Sequence, residues 1–383
     1  MQEVAPDVAD IIKGEGGDVL KLCYQCGTCT GTCPWNQVSS FLSRRLIHKA
    51  QLGVVDFEDE ELWKCVSCKL CVQFCPRGVE IPDIMRAMRR VIVGMGAGKI
   101  PDSLRVSGKN ISGVGNPLGE PPENRTDWAK DLDVKTFTQG TELLYFACCY
   151  QSFDPRCRSV TQATVNVLKK AGVDFGILDN EQVCCGESIR KAGHESSFQS
   201  LAQKNIELFN GGDAKKILVT SPHCYYTFKA EYGEFGGNIE VFHSTQFLAE
   251  LIREGKLKFA KELNQRITYH DPCCLGRCWG EEGIYDEPRQ ILENIPGVEL
   301  VEMKDNRQFA LCCGGGSGGL WQETKKGERF ADLRVDQALE TGAQVLAVAC
   351  PYCMVMFEDS VVSSNKGDAI VVKDIAELVQ EAV

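Results

Sequence analysis

Beyond residue 140 the chain alternates between two hydrophobic rhythms. Short apolar runs at Leu143–Ala147, Ile217–Thr220, Ile267–His270 and Val345–Ala349 read as buried strands. Between them, apolar positions recur at steps of three and four. Val160, Ala163, Thr164, Val167, Leu168 and Ala171 fall on one helical face, and Phe198, Leu201, Ala202 and Phe209 on another. Such alternation predicts an α/β architecture with mainly parallel strands. Upstream the pattern changes. Phe41–Ala50 has the length of a helix and lies between two cysteine-rich runs. The stretch from Gly94 to Pro122, dense in glycine and proline, reads as an extended linker or surface wrap. Val91-Ile-Val-Gly-Met-Gly-Ala-Gly98 lacks the G-x-G-x-x-G order of a dinucleotide loop, so no nucleotide site is expected there.

The α/β part is one module used twice. Ala147-Cys148-Cys149 matches Pro272-Cys273-Cys274, and Val183-Cys184-Cys185-Gly186 matches Leu311-Cys312-Cys313-Gly314. Ser221-Pro-His-Cys224 likewise matches Cys350-Pro-Tyr-Cys353. The 383 residues leave room for two or three domain cores. With 42 basic against 53 acidic residues the net charge is −11, which argues against a nucleic-acid partner. No apolar run approaches the roughly 18 residues a membrane helix needs, and Met1-Gln2-Glu3 opens without a leader pattern. Cysteine changes the picture most. There are 21, an odd number in a long chain, whereas a disulfide scaffold is short and usually even. These thiols are expected to hold metal.

The first set runs Cys23-x2-Cys26-x2-Cys29-x3-Cys33-Pro34 and returns as Cys65-x2-Cys68-x2-Cys71-x3-Cys75-Pro76. This is the bacterial ferredoxin spacing for two cubane 4Fe-4S clusters, in which the fourth cysteine of each run ligates the other cluster. Cys23, Cys26, Cys29 and Cys75 should bind one cluster, and Cys65, Cys68, Cys71 and Cys33 the other. Zinc also accepts four thiolates, but its sites come as pairs of C-x2-C without the third cysteine and the Cys-Pro. His48, between the runs, is expected to be structural. The second module reads Cys273-x38-Cys312-Cys313-x36-Cys350-x2-Cys353, five cysteines where a cubane needs four. Adjacent cysteines can sit on different irons of an opened cluster. Gly314-Gly-Gly-Ser-Gly-Gly319 follows, and a backbone without side chains can approach the sulfurs and donate N–H bonds to them. Leu320 stands where a phosphate loop would need lysine, so nucleotide binding is not expected. Cys350-Pro-Tyr-Cys353 also spells a glutaredoxin-like dithiol, although the residues after it are too few for a thioredoxin-type sheet.

These residues resemble a known family. The module is similar to the cysteine-rich CCG domain, and the whole chain resembles the D-type subunit of heterodisulfide reductase, including the related K-type subunit linked to sulfite reduction. The match is carried by Gln25-Cys-Gly-Thr-Cys-Thr-Gly-Thr-Cys-Pro34, His270-Asp-Pro-Cys-Cys-Leu-Gly-Arg277 and Leu311-Cys-Cys-Gly-Gly-Gly316. The resemblance implies a mixed α+β and α/β fold. An N-terminal helical two-cluster ferredoxin domain (1–93) and a linker (94–140) would precede two pseudo-symmetric CCG modules (141–262 and 263–383). It also implies a noncubane 4Fe-4S cluster on Cys273, Cys312, Cys313, Cys350 and Cys353. In the first module Cys148, Cys184, Cys185 and Cys224 match, but Ser221 stands where the family has a cysteine. Four thiolates remain there for a fourth 4Fe-4S cluster, cubane or altered. Cys149, Cys157, Cys274 and Cys278 lie outside the motif and are expected to be buried and inert. His270 is placed to shuttle a proton or bond a sulfur, or to serve the core; His223 and His243 lean to a structural role.

The function expected is an iron–sulfur electron-transfer subunit of an anaerobic multi-subunit redox complex. It would relay electrons between a flavin-containing, electron-bifurcating or dehydrogenase partner (similar to the A-type subunit of heterodisulfide reductase), other iron–sulfur subunits, and an acceptor. A disulfide, the quinone pool and a low-potential reductase of the benzoyl-CoA type are the acceptor classes. The place expected is the cytoplasm, with peripheral membrane attachment through a partner. Two alternatives stand: a self-sufficient disulfide or heterodisulfide reductase acting at the C-terminal cluster, and the iron–sulfur subunit of a glycolate or lactate dehydrogenase. A zinc-bearing scaffold without redox chemistry is a third reading, from a different class.

Overall fold

The structure is a computed structural model that describes residues 6–96, 98–325 and 327–383; the opening Met1-Gln2-Glu3 lies outside them. Two four-stranded sheets form the α/β part. In the first, β1 (Leu143–Phe146), β2 (Phe175–Ile177), β3 (Lys216–Val219) and β4 (Glu240–His243) lie in the order β2-β1-β3-β4. In the second, β5 (Arg266–Tyr269), β6 (Glu299–Val301), β7 (Val345–Val348) and β8 (Val371–Asp374) repeat that order as β6-β5-β7-β8. Every strand pair is parallel. The four runs read from the sequence are the inner strands β1, β3, β5 and β7. Helices cover both faces, which is why these strands are apolar almost throughout. Helices Pro155–Lys170 and Glu195–Gly211 bury the two periodic faces named above.

The N-terminal region is mostly helical. Helix Ser43–Gln51 separates the two cysteine runs, and helix Ile81–Met95 buries Ile84, Met85, Met88 and Ile92 beneath them. The stretch expected to run extended instead carries a helix, Asp102–Val114. Its proline and glycine mark the ends: Pro101 precedes the first turn, and Gly115 closes the last with φ 75°. This helix is a strut. Ile111 packs with Val183 and Cys184 of the first module, and Gly115 accepts a 2.7 Å hydrogen bond from the Cys184 amide. Leu104, at its other end, lies against Gly318 of the second module.

The modules are clamped by one arginine. Arg156 donates to Glu358 at 2.9 Å, to Glu377 at 2.6 and 2.8 Å, and to the Val372 carbonyl at 2.9 Å. The cysteine-bearing loops of the N-terminal region dock on the glycine-rich loop of the second module. Ser317 donates to Ser67 at 2.6 Å, and a Cβ on Gly316 would collide with the Val66 carbonyl oxygen. That contact is backbone against backbone, so nothing flexible can give way.

Gly316→Ala should therefore cost about 1–3 kcal/mol by overpacking this seam; denaturant unfolding of the variant beside the parent measures it. A second expectation concerns pH. His243 ends β4, caps helix Ser244–Arg253 by accepting from the Thr245 amide, and is fully buried. Burial pushes its ring down to about 3. The unfolded chain takes up that proton near about pH 6.5. The unfolded state thus binds more protons between the two values, and stability is lost as pH falls through that window. His243→Asn keeps an acceptor for the cap and should flatten the loss by up to about 1.4 kcal/mol per pH unit. Unfolding free energies from pH 7 to 4 test this; parallel curves for the two proteins would refute it.

Candidate metal centres

In a sheet ordered β2-β1-β3-β4 the connections leave in opposite directions at the carboxyl ends of β1 and β3, opening a crevice between them. The motif cysteines sit there. Cys148 follows β1 and Cys224 follows β3; Cys273 follows β5 and Cys350 follows β7. The CCG turns complete each set from the loops after β2 and β6. Among the described residues all 21 cysteines are free thiols, so the clusters of sulfur are not disulfides.

Cys23, Cys26, Cys29 and Cys75 line one small cavity in the N-terminal region. Cys33, Cys65, Cys68 and Cys71, together with Cys29, line a second. The fourth cysteine of each run does cross to the other group. Burial pushes the Cys71 thiol well up, and the Cys68, Cys65 and Cys33 sulfurs push it further. Crowded thiols of this kind resist ionising unless a cation is shared among them, which is the electrostatic setting of an iron–sulfur cluster. His48 is exposed and takes no part.

In the second module the Cys273, Cys312 and Cys313 thiols lie close enough to raise or lower one another's ionisation, as do those of Cys350 and Cys353. The Cys313 and Cys353 sulfurs are 3.4 Å apart. All five thiols are gathered and buried. The Gly314 amide donates to the Cys312 sulfur at 3.3 Å, as the Gly186 amide does to Cys184 at 3.4 Å. In the first module the Cys148, Cys184, Cys185 and Cys224 thiols, with Cys149, lie close enough to shift one another's ionisation. Ser221 is buried beside them at the start of helix Pro222–Tyr226, the place Cys350 holds before helix Pro351–Ser363.

Arg277 joins the N-terminal and C-terminal sets by donating to the Cys68 carbonyl at 2.8 Å and the Ala310 carbonyl at 2.5 Å, and the Cys68 thiol lies near that of Cys312. The two modules meet at a buried polar cluster. Glu187 pairs with Lys191 and, at 3.1 Å, with His223; Ser188 hydrogen-bonds Glu187 at 2.8 Å and Tyr352 at 3.1 Å. Burial pushes the Glu187 carboxyl up, but the Lys191 ammonium and the His223 ring outweigh it and hold it well below the carboxylate range. Conversely, burial pulls His223 down while Glu187 and Cys350 raise it well above its usual value.

His270 supplies a test of fit. Its Nδ1 accepts from Arg334 at 3.1 Å, so Nε2 carries the proton, and buried Nε2–H has no partner among the described residues. A ring nitrogen of His270 lies within 4.8 Å of the Cys313 and Cys353 sulfurs. An orphaned N–H beside five gathered thiols fits a cluster whose sulfur would accept it. Arg277, Arg334, Glu187 and Lys191 were not singled out from the sequence. Buried Arg277 follows Cys273 by four residues, the only local hint; the others are marked by nothing in their neighbourhood.

The chain matches the Cysteine-rich domain family (CCG) over residues 143–229 and 267–358, and the 4Fe-4S dicluster domain over 19–79. It is 38% identical over 339 residues to EtfAB:quinone oxidoreductase of Syntrophomonas wolfei, aligning 85% of this chain with 47% of that protein. A probable membrane-anchored ferredoxin of Chromohalobacter salexigens is 33% identical, over 94% of this chain and 59% of its own length. The chain thus spans about half the length of the first of these curated relatives. The D-type subunit of dihydromethanophenazine:CoB--CoM heterodisulfide reductase from Methanosarcina barkeri is 32% identical, across 95% of this chain and 94% of that protein. No helix among the described residues is long and apolar enough to cross a membrane.

Proposed function

The chain belongs to the family of D-type heterodisulfide reductase subunits, and from that premise we propose that it is the iron–sulfur electron-transfer part of a multi-subunit redox complex. It would receive electrons from a flavoprotein and pass them to a quinone-linked or disulfide acceptor. The ligand sets are Cys23, Cys26, Cys29 and Cys75, and Cys33, Cys65, Cys68 and Cys71, for two cubane clusters. Cys273, Cys312, Cys313, Cys350 and Cys353 would hold a noncubane cluster, and Cys148, Cys184, Cys185 and Cys224 a fourth. When bound, such clusters take up and release single electrons. The observation that carries the reading is a row of buried groups running between the thiol sets. Cys29 borders both N-terminal cavities, and the Cys68 thiol lies near that of Cys312. His223 and the neighbouring Tyr352 then lead across to Glu187 and Cys185. Buried residues hold every step of that line out of water. The relative named EtfAB:quinone oxidoreductase favours a quinone as the far acceptor.

A second reading, disulfide reduction by the chain itself, rests on access. A cavity of about 630 Å³ opens on Cys313 and Gly314, walled by Trp35, Trp63, Lys99 and Arg329. A substrate of coenzyme size would reach the five-cysteine site through it.

Protein purified without oxygen should contain about 16 iron atoms per chain and matching acid-labile sulfide, with negligible zinc. Several zinc atoms with little sulfide would sink both readings. Cys353→Ala should abolish the paramagnetic signature of the five-cysteine site and leave both ferredoxin-type signals intact. Turnover of a small disulfide by the isolated, dithionite-reduced chain would favour the second reading; its absence, with full iron content, favours the first.

A further inference from the structure

Cys274 and Cys278 belong to neither ligand set, yet their sulfurs lie 3.8 Å apart. A tight turn holds them so. The Leu275 and Gly276 amides both donate to the Pro272 carbonyl at 3.0 Å, and the Cys278 amide donates to the Cys273 carbonyl at 3.0 Å. Gly276 adopts φ −101° and ψ −92°, and a Cβ there would collide with the Tyr285 ring, so the turn is fixed by packing. The two thiols face different surroundings. Cys274 is buried, next in the chain to Cys273, and stands 3.6 Å from His223 Nδ1. Cys278 is half-buried, with the exposed Gly280 two residues on, and Lys191 and Lys69 bring ammonium groups near it. The first module has no such pair. Its counterpart Cys149 has Phe153 four residues on and faces Arg125 at 3.8 Å instead.

We propose that Cys274 and Cys278 form a redox-active dithiol that exchanges with an external disulfide and is reduced through the adjoining five-cysteine centre. The inference rests on the cluster assignment made above for that centre. The outer Cys278 thiolate attacks one sulfur of R–S–S–R′; that bond breaks and R′S⁻ leaves, its charge met by the neighbouring ammonium groups. Cys274 then attacks the Cys278 sulfur of the mixed disulfide, forming the Cys274–Cys278 bond and releasing RS⁻. Two electrons, which a cluster held by Cys273 and its four partners would supply one at a time, break this bond. The two protons that Cys278 and Cys274 lose on attack protonate the released thiolates, and two protons from solvent restore the two thiols of the pair. The net change is one disulfide, two electrons and two protons to two thiols. Closing the pair requires its sulfurs to move from 3.8 Å to about 2.05 Å by side-chain rotation.

The test uses the iron-loaded chain, hydroxyethyl disulfide as probe, and mass analysis of alkylated peptides. After exposure to the probe, the peptide bearing Cys274 and Cys278 should lose both alkylation sites. Both should return when dithionite reduces the protein. In Cys353→Ala the pair should still oxidise but fail to be reduced on that timescale. Cys274→Ser should trap the probe as a mixed disulfide on Cys278, with iron content equal to the parent. Three results would overturn the proposal: both thiols alkylated after exposure to the probe, a disulfide that survives reduction of the clusters, or iron lost from Cys274→Ser and Cys278→Ser alike. The wild-type peptide decides the first two even if a variant fails to fold. Low iron in the wild type would instead refute the cluster reading, a separate measurement.

Discussion

A buried thiolate cannot be left without a positive charge, and this chain gathers its thiols in groups of four and five, those of the two modules buried. Each sulfur raises the cost of ionising the next, so the groups are stable only with a shared cation or with protein charges close by. The arrangement of buried arginines follows from that constraint. Arg89 donates to the Cys65 carbonyl at 2.8 Å, Arg277 to that of Cys68, and Arg125 lies 3.8 Å from the Cys149 sulfur. Arg89 and Arg277 spend their hydrogen bonds on backbone carbonyls of the cysteine loops or their neighbours, whereas Arg125 divides its own between the Gly115 carbonyl and the Cys149 sulfur. Charge compensation and geometry are thus supplied by the same side chain. Burying it without such partners would be far more costly than leaving it exposed.

The parallel sheets answer a second need. Thiols from distant parts of the chain must meet, and the crevice at the carboxyl ends of two adjacent inner strands collects loops from three strands at one point. Using the module twice yields two such points, and the polar cluster of Glu187, Lys191, His223 and Tyr352 lies where they face each other. The glycine-rich loop then adapts the second module to a partner the first does not meet. In the sequence those glycines read as a loop made to approach the sulfurs. Gly314 does so, whereas Gly316 is needed because the Val66 backbone comes too close for a side chain.

The cysteine spacings and inner strands were legible because each is local or continuous. A run such as Val345–Val348, buried on both faces, is apolar throughout. Its neighbours were missed for physical reasons. β6 is three residues long and partly exposed, and β4 and β8 each begin on an exposed residue, so no continuous apolar signal survives. β2 is buried but contains Gly176, whose open space is taken by the backbone at Thr136 and Phe137. Helix Asp102–Val114 was hidden by its own punctuation, since proline and glycine bound a helix as readily as they break one. Glu187 and Lys191 read as ordinary surface charges four residues apart. Only the meeting of two modules, set by contacts more than a hundred residues apart, takes them out of water.

The asymmetry of the modules has a consequence for direction. Ser221 keeps the backbone role of Cys350 at the start of the following helix but offers a neutral hydroxyl where the counterpart offers a thiol, and iron in such clusters prefers the softer ligand. The site with five thiols is also the one that adjoins the N-terminal set at Cys68 and Cys312, and the one beside Cys274 and Cys278. Both features fall on the same module, while Tyr352 and His223 stand between it and the four-thiol site. Two equivalent centres would place a substrate symmetrically between them. On the assignment proposed above the centres are unequal, and the second module would be the junction of the chain, where electrons arriving from one side would be divided between an onward path and local sulfur chemistry.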